Sequence, residues 1–174
     1  SGSKYVHEGI LFKLQDSAQL YGGSSNAAKS AGLELLHLNS LFRLHAAGVH
    51  LPLLVVIDYR GFRVSAESLL PIDRSTICYG SDDGGHRVHR SDDAAAATMA
   101  RLAAQLGLCE HVVGKERERC QRVHMPVDIE AHRGHDGRLY VLDAARLMPP
   151  EPPSARASFL WRLLLLVQRA LLYV

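Results

Sequence analysis

The chain has 174 residues, enough for one real hydrophobic core, and its 47% hydrophobic and 22% charged residues exclude a disordered or fibrous protein. A formal charge of +2 is too small to announce a polyanion partner by itself, while ten histidines add charge in mild acid. Ser1, Gly2 and Ser3 read as a cloning remnant, and residues 4–174 as a single domain, with 149–156 as a Pro-rich linker to a C-terminal helix.

The first segment, YVHEGILFKL (5–14), reads as a strand, and LYGGSS as a turn feeding a helix. Along SNAAKSAGLELLHLNSLFRLHAAG, the residues Ala28, Ala31, Leu35, Leu38, Leu41, Leu44 and Ala47 recur at steps of three and four. They define one buried helix face, which Ser24 or Ser25 can cap and Gly48 can end. LPLLVVIDYR and FRVSAESLL make a hairpin turning at Asp58-Tyr59-Arg60-Gly61 or close to it. STICYG is a short strand, SDDGGH a tight turn and RVH a return strand. Ser91 is placed to cap DDAAAATMARLAAQLGL, whose acidic first turn and alanines favour helix.

KERERCQRVH is a charge run, expected as an exposed strand or loop. VDIEAH and RLYVLDA alternate like two strands joined by GHDG, where Asp136-Gly137 marks the turn. MPPEPPS continues neither helix nor sheet. The final run, FLWRLLLLVQRALLYV (159–174), is shorter than the ~20 apolar residues of a spanning helix. It also carries Arg162 and Arg169, so it reads as a buried or docking helix, without membrane insertion. Consecutive hairpins imply an α+β fold with antiparallel hairpins and three main helices.

The cysteines Cys78, Cys109 and Cys120 form no CxxC, and their odd number favours a reducing, cytoplasmic setting. No charged leader with an apolar run opens the chain.

Four acidic or imidazole side chains form the candidate polar cluster: Asp128, Glu130, His132 and Asp143. The first three share one strand face by the period of two, with Val127, Ile129 and Ala131 on the other. Such a face can do acid-base or metal chemistry, or it can be the solvent side of an ordinary antiparallel strand. His86 with His89, and His132 with His135, sit three apart, but no cysteine accompanies them as structural zinc usually requires. The element order also suggests a kinase-like arrangement in which Asp143 and Asp128 would serve a nucleotide. GxGxxG, HRD, DFG and a strand lysine in V-A-I-K context are all missing. Arg117, Arg119 and Arg122 are candidate RNA contacts, since clustered arginines neutralise phosphates, though Glu116 and Glu118 balance them.

Four collinear segments carry a resemblance: LYGGSSNAAKSAGLELL (20–36), LVVIDYRGFRVSAESLLPI (54–72), TICYGSDDGG (76–85) and PVDIEAHRGHDGRLYVLDAARLMPPE (126–151). Together they resemble the Clu domain of the clustered mitochondria protein family. The resemblance implies a non-enzymatic module of a larger cytosolic eukaryotic protein that acts in mitochondrial distribution. It further implies partners: messenger RNA for nuclear-encoded mitochondrial proteins, the translation initiation machinery, and other segments of the parent protein. It transfers no catalytic residue, no metal and no cofactor. Ala144 and Ala145 depart from the family, which has a bulkier residue after the aspartate.

Overall fold

The computed structural model describes residues 3–16, 24–115 and 120–148. Strands β1 (Lys4–His7) and β2 (Ile10–Leu14) replace the single strand expected over 5–14. Glu8 and Gly9 both take positive φ, 47° and 77°, a two-residue turn whose twist suits antiparallel partners. Helix α1 (Ser24–Arg43) follows and stops short of the expected Gly48, because His45 already has a positive φ of 46°. Strand β3 (Val49–His50) leads to the hairpin of β4 (Leu54–Tyr59) and β5 (Phe62–Ser68). Its tip is Arg60-Gly61, the close of the turn anticipated from sequence, with Tyr59 paired to Phe62.

These strands form a four-stranded antiparallel sheet in the order β1-β2-β5-β4. Its solvent face is more apolar than that of an ordinary half-buried sheet. The face toward α1 is mixed, with Lys13, Arg63, Ser65 and Glu67 beside Leu11, Leu54 and Val56, and Arg63 Nη1 donates to the Ala28 carbonyl of the helix at 2.8 Å. The opposite face carries the apolar alternation of β4 and β5.

A second, five-stranded sheet holds the core. Its order is β3-β11-β10-β6-β7, built from β6 (Ile77–Gly80), β7 (His89–Arg90), β10 (Glu130–Arg133) and β11 (Leu139–Leu142), with β3 parallel to β11. All four residues of β6 are buried. The Tyr79 hydroxyl oxygen accepts the backbone N–H groups of His124 and Met125, which satisfies a loop that would otherwise bury bare donors. Helix α2 (Asp93–Gln105) is capped by Asp92 rather than the expected Ser91. Asp92 has the extended backbone of an N-cap and accepts from Ala95 N at 2.9 Å, whereas Ser91 N is spent on the Cys78 carbonyl. Leu38 and Leu41 of α1, Met99 and Leu102 of α2, and Ile129 and Val141 beside them close one core.

A two-stranded ribbon, β8 (His111–Val113) with β9 (Gln121–Val123), flanks the charge run. The fold is therefore α+β with mainly antiparallel sheets. Two helices are described instead of three, the third expected one falling in 159–174, outside the described residues along with the linker 149–156. The kinase-like arrangement is not supported: a kinase core continues into a helical lobe, whereas after α2 the described chain makes two β hairpins and a single 3-10 turn, Ala144–Arg146. No described helix is long and apolar enough to cross a membrane.

Candidate functional site

The hairpin β10–β11 turns through Gly134 to Arg138, as Asp136-Gly137 implied. Asp136 Oδ1 accepts Arg138 N at 3.1 Å and Asp136 Oδ2 accepts the Tyr140 hydroxyl at 2.8 Å, so the aspartate holds the turn against β11. Strand β10 itself is shorter than VDIEAH predicts, since Val127 and Asp128 lie in the preceding turn.

The expected solvent face of β10 is not in solvent. Ile129 and Ala131 are buried as anticipated, but His132 is buried too and the Glu130 side chain nearly so. His132 Nε2 meets Glu130 Oε2 at 3.0 Å, and His132 Nδ1 meets the Thr76 hydroxyl oxygen at 2.9 Å. Thr76 already donates its hydroxyl hydrogen to the Asp73 carbonyl, so the hydrogen in the His132–Thr76 contact sits on Nδ1.

Asp143 follows β11 in the left-handed conformation, φ 57° and ψ 49°. It keeps an exposed surface, yet its carboxyl stands in a crevice with Glu130 of β10, Glu34 of α1 and Lys13 of β2. Burial, the Glu130 carboxylate and then the Glu34 carboxylate push it up to about 7, against the opposing pull of Lys13. Lys13 pairs with Glu67 at 2.5 Å; burial disfavours its charge, and the Glu67 carboxylate outweighs that and raises it. Glu34 is also raised, by burial first, although Oε1 accepts the Ala144 N–H at 2.8 Å.

One helical turn further along α1, His37 Nδ1 donates to the Ala144 carbonyl at 2.9 Å. Helix α1 thus grips both backbone groups of the residue after Asp143.

The sequence-derived cluster is therefore brought together in part. Glu130, His132 and Asp143 form one hydrogen-bonded chain, while Asp128 turns away to an ion pair with Arg146. Sequence reading missed Lys13, Glu34 and Glu67. Their apolar-strand and helix contexts hide them, and a charged residue on the buried side of each element is the only signal that could have pointed there.

The histidine pairs separate: His86 contacts Lys115 Nζ at 2.8 Å, and His135 contacts Asp73 at 2.8 Å. Among the described residues, no group of three His, Cys, Asp or Glu side chains is placed to hold a metal ion together. Arg122, on β9, is exposed and bonds Glu110 at 3.2 Å, whereas Arg117 and Arg119 lie outside the described residues.

Comparison with known proteins gives the chain a family. The family model described as Clustered mitochondria matches residues 1–153. The chain is 30% identical over 161 residues to a clustered mitochondria protein homolog of Caenorhabditis briggsae, covering 84% of the chain and 12% of that protein. A clustered mitochondria protein homolog of Homo sapiens shares 29% identity over 145 residues, 80% of the chain and 11% of that protein. Protein clueless of Drosophila ananassae shares 30% over 145 residues, 80% of the chain and 10% of that protein. The chain thus spans about a tenth of the length of these relatives. No solved structure matches.

Proposed function

The chain belongs to the clustered mitochondria family, and from that premise we propose that it is a non-enzymatic Clu module of a larger cytoplasmic protein that acts in mitochondrial distribution. Within that role it binds messenger RNA or the translation initiation machinery. The observation that supports a scaffolding role over catalysis is the wiring of the acidic chain. Glu130 is spent on His132, Glu34 on the Ala144 backbone and Asp128 on Arg146, which leaves structural partners for the side chains a reaction would need.

The RNA-binding part of the proposal rests on Arg122 with Arg117 and Arg119. A salt titration with single-stranded RNA tests it. Affinity should fall steeply with salt in the parent chain, and replacing all three arginines with alanine should weaken binding and flatten the slope. Absence of binding at low salt would move the RNA role to other parts of the longer protein.

A further inference from the structure

The four-stranded sheet shows solvent the wrong face for a free-standing domain. Its pairing register puts Tyr5, Phe12, Val55, Ile57, Tyr59 and Phe62 on the side away from α1. Tyr5, Val55, Tyr59 and Phe62 are between 58% and 65% exposed, and Ile57 is 42% exposed. The side toward the helix is mixed, Lys13, Arg63 and Glu67 sharing it with Leu11, Leu54 and Val56. A half-exposed antiparallel sheet ordinarily keeps its solvent side polar.

The apolar face is about 19 Å across its four strands and about 20 Å along them. A contiguous apolar surface of that size on a soluble domain marks an interaction site.

The same chain carries a segment suited to this face. In FLWRLLLLVQRALLYV, the residues Leu160, Leu163, Leu164, Val167, Leu171 and Val174 recur at helical spacing, and Arg162 and Arg169, seven apart, fall together on the other side, with Leu165, Leu166 and Leu172 flanking them. As a helix, residues 159–174 would be about 24 Å long, which matches the sheet. Residues 149–158 connect the segment to Met148 and include four prolines; ten residues in an extended polyproline geometry would reach about 31 Å. Met148 follows the 3-10 turn held by α1, on the helix side of the sheet. Reaching the apolar side means crossing roughly 10 Å of layer and about half the sheet width, within that reach.

We infer that residues 159–174 dock as an amphipathic helix on the apolar face formed by β1, β2, β5 and β4, covering Val55 and Ile57. The leucine stripe meets the sheet, and Arg162 and Arg169 stay in water.

Trp161 is the chain's only tryptophan and reports on this directly. In the intact chain its emission should be blue-shifted and independent of protein concentration. The pair Val55→Asp and Ile57→Asp should move it toward the emission of water-exposed indole, with circular dichroism showing that the domain stays folded. If that pair does not fold, the reciprocal pair Leu164→Asp and Leu171→Asp is read by binding of an apolar dye, which should rise severalfold as the face is bared.

The inference fails if Trp161 emits as a water-exposed indole in the intact chain. It fails also if folded face variants leave a blue-shifted emission unmoved, since the segment then docks elsewhere, or if the blue shift grows with concentration, since a second copy then covers the face. Unchanged dye binding in the reciprocal pair overturns it as well.

Discussion

At the scale of single residues, the sharpest constraint falls on Gly80, at the end of β6. Its φ is +88°, and a Cβ built there would lie 1.7 Å from the Ile129 carbonyl oxygen, part of the backbone that leads into β10. Gly80→Ala therefore combines left-handed strain with a collision that no rotamer relieves, and should destabilise the domain by more than about 3 kcal/mol. Gly61 supplies the control: its φ is similar, +81°, but nothing lies within 4 Å of the added methyl. Gly61→Ala should cost only about 1–2 kcal/mol of backbone strain. Urea unfolding of both variants distinguishes the two contributions, and equal losses would mean that the approach of Ile129 is not tight. Neither effect was visible in TICYGSDDGG as a string. STICYG reads as a strand and Gly80 does end one, but the close approach depends on a segment about fifty residues downstream that local sequence cannot register.

At the scale of elements, α1 and the 3-10 turn behave as one unit because Glu34 and His37 hold the N–H and C=O of Ala144. Glu34→Ala strands a buried donor and His37→Ala a buried acceptor, so each should cost about 1–3 kcal/mol. Both hold the backbone of one residue, and the double variant should lose less than the sum. Glu34→Gln keeps an acceptor oxygen and sheds a carboxylate that burial already disfavours, so it should lose much less than Glu34→Ala. Chemical denaturation at constant m-value measures all four. A strictly additive double variant would show that the two contacts act independently.

The helix itself was legible from its three- and four-residue periodicity, as were the hairpins at Arg60-Gly61 and Asp136-Gly137, because those signals are local. Glu34 and His37 read as ordinary polar positions on that helix. Their role depends on a turn more than a hundred residues away. The β1–β2 hairpin was missed for a different reason: Glu8 occupies a left-handed position where a sequence reader expects Asn, Asp or Gly.

At the scale of the whole molecule, Asp143 lies where the two larger sheets and α1 meet, with Lys13 and Glu67 on one sheet, Glu130 on the other and Glu34 on the helix. Its titration is therefore a property of how these parts are assembled. An unfolded aspartate titrates near 3.9, roughly, whereas the folded Asp143 is pushed up to about 7. Between those values the folded state holds a proton that the unfolded state has released. Stability then falls as pH rises through this window: the contribution is fully present below the unfolded value and is lost once pH passes about 7.

Asp143→Asn removes the titration and retains a side chain that tolerates φ 57°. Melting temperatures measured from about pH 5 to about pH 8 should decline more for the native chain than for the variant. Solvent access to the crevice screens the charges, so the divergence should be on the order of a few degrees. Every other ionisable group is common to the two proteins, so the difference between the two curves isolates Asp143 and its neighbours. Parallel curves would place the carboxylate in water with its ordinary affinity for protons, and the crevice between the sheets would then be open rather than closed around Glu130 and Glu34.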